Sequence, residues 1–345
     1  MRYSLLYIGM RNNGGPGRIG MLLKRLCVEL GWRFSWLHNS LHIPAAFCTE
    51  DDVSLENCFK GQFDLVIHNQ WRYREFFFRF NGTVPQVLLV MYEDIPPYWQ
   101  EFCEGLNSIL APCRSIGDHL RRDFPVVHFA VPPRISMNNS QGNSSIRFFY
   151  PARDGGEKDR KGIPEFADAL ALARGNFTVA LSLTEVALDR CMRLYPKILC
   201  DPRVELLPEL TADQYWAQID SCHALLCPSR TSGIELALLD AIASGVDIVV
   251  TDIEPMNDYY SNEEAWFVCS EPLSMESAAL GVKRFRASPV HLAKTLDSYC
   301  PGERLSCGMR AAERWVKFKD ELGMYLRLLV SSGGQGRRVV REGTQ

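Results

Sequence analysis

The residues best placed to do chemistry lie in Cys227-Pro-Ser-Arg-Thr-Ser-Gly-Ile-Glu-Leu-Ala-Leu-Leu-Asp-Ala-Ile-Ala-Ser-Gly-Val-Asp-Ile-Val-Val-Thr-Asp252. The apolar run Ala224-Leu225-Leu226 feeds a glycine-bearing turn, a short helix follows, and Gly245 ends it before the strand 248–250. A helix that opens beside the end of a parallel strand offers unpaired N–H groups to an anion, here those of Gly233 and Ile234. Ser232 and Glu235 have the spacing of a capping box, so Glu235 is open to two readings, a helix cap or a ligand contact. Asp240 has Leu236, Ala237, Ala243 and Ser244 one turn to either side, which puts a carboxylate on an apolar or small-residue face. Such a group needs a hydrogen-bonding partner. Ligand hydroxyls would serve, the alternative being a helix-end acid that simply meets solvent.

A second cationic position stands earlier in the same half. Phe148-Phe-Tyr-Pro-Ala-Arg153 ends a strand and Lys161-Gly162 opens the next helix, so Arg153 and Lys161 are expected to flank one loop at a helix N-terminus. A guanidinium, an ammonium and oriented N–H groups suit a diphosphate. In the first half, Gly14 and Gly15 link the first strand to the first helix, where positive φ and close approach are available to them. His68 ends an apolar strand and reads either as a structural histidine or as a site residue, while the adjacent acids Glu93 and Asp94 suit substrate hydroxyls. The Asn12–Arg18 turn is not GxGxxG, which argues against a dinucleotide-binding fingerprint.

These residues need a scaffold, and the pattern supplies an α/β one. Strands are expected at 3–8, 33–37, 63–68, 85–91, 108–111 and 126–129, with helices at 17–30, 73–79, 99–105 and 115–124. A second series reads strand 146–150, helix 161–173, strand 178–183, helix 187–194, strand 204–207 and helix 212–221. Alternation of this kind predicts two doubly wound, Rossmann-like domains whose strand ends face across a cleft. We divide the chain into an N-terminal domain at 1–132, a Pro/Ser/Asn-rich linker at 133–145 and a C-terminal domain at 146–302. An amphipathic helix at 303–330 and a flexible tail at 331–345 follow.

Composition limits the partners. A chain of 345 residues with 46% hydrophobic and 23% charged residues reads as globular, and its formal net charge of −3 gives no sign of nucleic-acid binding. The 12 cysteines show no metal-ligand spacing and read as reduced core thiols; no metal and no cofactor are expected. The apolar strand begins immediately after Met1-Arg2 and no apolar run approaches the ~20 residues of a membrane span, so a cytoplasmic chain is expected.

The order of these pieces resembles a GT-B glycosyltransferase, nearest to the retaining family 4 type, along nearly the whole chain. Gly14-Gly15 resembles that family's first-turn glycines, and Asp64-Leu-Val-Ile-His68 its Asp-Val-Val-His strand. Tyr92-Glu93-Asp94-Ile-Pro-Pro-Tyr-Trp resembles its His-Asp loop and the Pro-Tyr-Trp-like element after it. Ala152-Arg153 and Lys161-Gly162 match the Gly-Arg and Lys-Gly pair that holds the donor diphosphate, and Pro228-Ser229-Arg230 through Gly245 matches the Pro-Ser…Glu-x7-Glu…Gly signature. The sequence departs from the family where Ser232 replaces the first glutamate, Asp240 the second, and Glu93 a donor-contacting histidine.

The resemblance implies transfer of a sugar from a nucleotide-diphosphate donor to a glycan, lipid or other hydroxyl acceptor, with retention and without metal. Arg153, Lys161 and Glu235 would be catalytic. Ser232, Gly233, Ile234, Asp240 and Leu207 would hold the donor, and Gly14, Gly15, His68, Glu93 and Asp94 would face the acceptor or sugar. The terminal helix would cross back to the first domain. Two alternatives stay open: a nucleotide-sugar 2-epimerase, whose Ser-Gly-Gly-x-Gln-Glu turn Ser232-Gly-Ile-Glu235 faintly resembles, and a non-catalytic GT-B protein that binds a nucleotide sugar.

Overall fold

The computed structural model describes residues 3–9, 15–38, 53, 57–58, 61–69, 80, 82–90, 106–115, 126–134, 145–153, 160–231, 233–273, 284–302 and 307–332. The expected helices 73–79 and 99–105, most of 115–124, the middle of the linker and the tail beyond residue 332 lie outside them. The chain forms two compact units, residues 1–129 with 316–345, and residues 130–315.

In the first unit β1 (Ser4–Gly9), α1 (Gly15–Leu30), β2 (Arg33–His38), β3 (Leu65–Asn69), β4 (Gln86–Leu89) and β5 (Ser108–Leu110) follow one another. The strands pair in parallel in the order β2-β1-β3-β4-β5. Every residue of β1, β3 and β4 is buried, as a parallel sheet covered on both faces requires. Tyr7 and Trp36 meet edge to face at 5.1 Å on neighbouring strands. The strand expected at 126–129 is reduced to one bridge between Ala111 and Val126. Burial rather than pairing accounts for its apolar run, since Val127, Phe129, Ala130 and Val131 are all buried.

The second unit begins with β6 (Ile146–Arg153), α2 (Ile163–Leu172), β7 (Phe177–Leu183), α3 (Glu185–Leu194), α4 (Pro196–Cys200), β8 (Val204–Leu207), α5 (Ala212–Ser221) and β9 (Ala224–Cys227). It continues with α6 (Leu236–Ala243), β10 (Asp247–Thr251), α7 (Met256–Tyr259), β11 (Ala265–Val268), β12 (Ser270–Pro272), β13 (Phe285–Ala287) and α8 (Pro289–Ser298). Helix α9 (Cys307–Ser331) contributes to both units, which divide it after Trp315. The six-stranded parallel sheet runs β11-β10-β9-β6-β7-β8, the order of a Rossmann sheet.

Local chemistry explains where the elements start. Thr211 and Gln214 form a reciprocal capping box on α5. Thr184 caps α3, and Ser288 with Pro289 opens α8. Central strands β9 and β10 are buried at every position, whereas the edge strand β8 leaves both Glu205 and Leu206 exposed. Phe148, Tyr150, Phe166 and Phe177 head the core between the sheet and α2. No helix among the described residues is long and apolar enough to cross a membrane.

Burial also sets thiol chemistry. It pushes Cys27, Cys222 and Cys227 up to about 12, so each retains its proton through neutral and mildly alkaline pH. Cys200, Cys269 and Cys300 are exposed. At pH 8 a thiol reagent followed by peptide mapping should label those three rapidly and the buried three only after denaturation. Labelling of Cys227 as fast as that of Cys200 would contradict the packing of β9.

Candidate functional site

All strands of the second sheet point to one edge, and the chain leaves that edge in opposite directions after β6 and after β9. The connection from β6 runs toward β7, and that from β9 toward β10 on the other side. A crevice opens at such a switch point, where doubly wound sheets bind ligands. The two loops that flank it carry Arg153 with Arg160-Lys161-Gly162, and Pro228 to Glu235.

These loops are joined along the backbone. Gly162 takes φ +78°, and a Cβ there would stand 1.9 Å from the Pro228 carbonyl oxygen. Glycine therefore meets two demands, a left-handed backbone and contact with another main chain. Beside it, the Arg230 amide donates to the Arg160 carbonyl at 2.8 Å. The Tyr150 hydroxyl, from inside β6, donates to the Lys161 carbonyl at 2.5 Å. On the far side, Arg230 closes bidentate on the fully buried Glu165 of α2, with Nη2 2.7 Å and Nε 3.0 Å from Oε1 and Nε 3.1 Å from Oε2. Its carbonyl accepts from the Phe285 amide of β13 at 2.9 Å.

Lys161 and Glu235 meet at the centre of this framework. The ammonium lies 2.7 Å from Oε1 and 2.9 Å from Oε2 of Glu235, with the two side chains 15% and 7% exposed. Burial alone would lower the Lys161 pKa, but the Glu235 charge and hydrogen bond outweigh it, and the net shift is upward. Ser229 donates to Glu235 Oε2 at 3.4 Å and lies 3.2 Å from the Cys227 sulfur. Burial and the same carboxylate hold the Cys227 thiol protonated.

Two alternatives left open by the sequence are narrowed here. Helix α6 starts at Leu236, and Glu235 is its N-cap at φ 47°, ψ 68° with no side-chain cap bond, so the capping box anticipated from Ser232 and Glu235 is not the role Glu235 plays. The buried ammonium takes the carboxylate instead. Asp240 is 1% exposed, which excludes a solvated helix-end acid. Its partner is the Tyr215 hydroxyl of α5, 2.8 Å from Oδ2, where the sequence offered ligand hydroxyls.

The remaining candidates are distributed as follows. Arg153 ends β6 at φ 53° with its side chain 53% exposed, and its guanidinium stands 3.8 Å from Glu209, a weak exposed pair. Gly233 and Ile234 are buried in the turn, and their amides take no hydrogen bond among the described residues. Leu207 ends β8, two strands from β6, partly buried. In the first unit, His68 is fully buried with Nε2 2.9 Å from the Gln86 amide oxygen, and Gly15 begins α1. Gly14, Glu93, Asp94 and Ser232 lie outside the described residues.

The sequence reading missed Tyr150, Tyr215, Ser229 and the Glu165–Arg230 pair. An acid in the first turn of α2 and an arginine inside the turn after β9 were the available signals for that pair. Nothing in the linear pattern joins them. Among the described residues no group of three or more His, Cys, Asp and Glu side chains is arranged to hold a metal ion.

No family model matches the chain, and no curated protein does. Solved structures do share its architecture. Sucrose-phosphate synthase from Thermosynechococcus elongatus is similar at 13% identity over 96% of this chain and 100% of its own, with a TM-score of 0.68. HepE from Anabaena, in complex with UDP and glucose, is similar at 11% identity over 95% and 100%, with a TM-score of 0.70. The fold is GT-B. A glycosyltransferase from Rickettsia africae shares it at 11% identity over 98% of this chain and 99% of that one, with a TM-score of 0.69. In GT-B terms the Lys161–Glu235 contact belongs to the second of the two Rossmann-like units.

Two outcomes follow from the loop geometry. Gly162→Ala must move the backbone of one loop, and we expect a loss of about 2–4 kcal/mol, read as a lower urea midpoint at unchanged m-value. Lys161→Met leaves the buried Glu235 charge unpaired and should cost about 3–5 kcal/mol at pH 7. Because the Lys161 pKa is raised in the folded state, its contribution is complete below 10.5 and disappears as pH rises through the folded value. Denaturant titrations should therefore find a constant wild type–variant difference from pH 7 to 10 that narrows above; narrowing near neutrality would rule out the ion pair.

Proposed function

We propose that the protein transfers a sugar from a nucleotide-diphosphate donor to a hydroxyl acceptor. The observation that carries this reading is a buried ammonium at the switch point of the second GT-B unit, beside a turn whose Gly233 and Ile234 amides are unengaged. HepE, which has the same fold, has been solved in complex with UDP-glucose, which supports a sugar nucleotide as donor.

Lys161 and Arg153 take the diphosphate in this reading, with the two amides completing its shell. As the bond to the sugar breaks, negative charge builds on the leaving phosphate, and cations fixed beforehand stabilise that state more than the ground state. Arg153 is suited to recruitment because its weak exposed pairing leaves the guanidinium easy to redirect. Asp240 serves the ribose, with Tyr215 sharing its carboxylate. The strand end at Leu207 borders the base. Transfer proceeds with retention by attack from the face the leaving group vacates, and the protein cations do the work a metal would otherwise do.

A second reading is favoured by one observation, the neutralisation of Lys161 by Glu235. That is a GT-B protein that binds a nucleotide sugar and does not transfer it. A thermal-shift screen of UDP-, GDP-, ADP- and dTDP-sugars identifies the donor, since a ligand of the native state raises the melting temperature. Chromatography of reaction products then separates the readings, because only the enzyme releases nucleoside diphosphate. Lys161→Ala and Arg153→Ala should each lower turnover by roughly 10²–10³-fold, as loss of an oxyanion donor does. Wild-type rates in both variants would remove these residues from the site.

A further inference from the structure

We infer that Glu235 is an internal counter-anion that competes with the donor diphosphate for Lys161. The inference rests on the reading above in that it takes a diphosphate as the incoming ligand. The ammonium is already bonded to both carboxylate oxygens, at 2.7 and 2.9 Å, in a setting where neither side chain is more than 15% exposed. A diphosphate arriving there meets a neutral pair and a like charge rather than a free cation. At such separations the repulsion from Glu235 is of the same order as the attraction to Lys161. Strong binding therefore requires Lys161 to exchange one anion for the other.

The turn has the features such an exchange needs. Glu235 is held at φ 47°, ψ 68°, a left-handed conformation that a side-chain-bearing residue keeps only when something compensates for it. The pair with Lys161 anchors the side chain of the residue that carries this conformation. Ser229 already donates to Glu235 Oε2, which gives the carboxylate a neutral partner to keep. In the same turn the Thr231 side chain is 4% exposed and its hydroxyl has no hydrogen-bond partner. A buried donor left unused in this turn is available to a phosphate oxygen.

The test is calorimetric titration of inorganic pyrophosphate and of UDP into wild type, Glu235→Gln, Glu235→Gly, Lys161→Ala and the Lys161→Ala/Glu235→Gln double variant. Glycine suits the positive φ at 235, so the second variant removes the carboxylate without straining the backbone. Both Glu235 variants should bind pyrophosphate about tenfold tighter or more, and the gain should vanish in the double variant. Unchanged or weaker binding in both would overturn the inference and make Glu235 a residue that positions Lys161. The outcome is separable from the transfer reading. Tighter pyrophosphate binding without sugar transfer keeps the competition and removes the enzyme; transfer by wild type with no tightening does the reverse.

Discussion

The candidate site depends on one steric constraint, the approach of the Gly162 backbone to the Pro228 carbonyl. There the loops after β6 and β9 approach closely, and beside that contact the Arg230 amide donates to the Arg160 carbonyl. That contact fixes the main chain of Lys161 opposite the turn that ends in Glu235. The bidentate Arg230–Glu165 pair and the Tyr150 hydroxyl then hold the two loops from either side. A single side chain at position 162 would separate them, because the obstructing atom is backbone and cannot rotate away.

Around this contact the electrostatics are less cationic than a diphosphate site would suggest. The Tyr150 hydroxyl and the Cys227 thiol are both held protonated, mainly by burial, with Cys227 and the Glu165 and Glu235 carboxylates adding to it at Tyr150 and Glu235 at Cys227. The Lys161 charge is therefore balanced by an acid held against it. A buried pair of this kind contributes little net stability, since desolvation offsets most of the attraction, while breaking it leaves an uncompensated charge. In this structure the Lys161 charge is balanced internally by Glu235. Arg153, exposed and loosely paired, is the cation that can move at little cost.

Much of the scaffold was legible along the chain. Strands such as 204–207 and helix 212–221 coincide with β8 and α5, because apolar runs and the Thr211–Gln214 cap act within a few residues. Legibility failed where context decides. The run at 126–129 has the composition of a strand but has only a bridge to pair with. Short elements from α7 to the β12–β13 hairpin carry no period long enough to read. Lys161, Glu235 and Asp240 were singled out from the sequence as groups that need partners. Their partners were not, since Tyr215 lies 25 residues and Lys161 lies 74 residues from the group each one satisfies.

By itself, then, the sequence determined the alternation of strand and helix, the position of the glycine-bearing turn after β9, and the presence of charges that apolar neighbours make costly. Each of these is a local property of spacing and residue type. Tertiary structure alone decided which charge meets which. Strand order places the loops after β6 and β9 side by side, and that adjacency gives Lys161 to Glu235 and leaves Tyr215 for Asp240. Pairing in a low-dielectric interior is a question of a few ångströms in space, and separation along the chain carries no information about it.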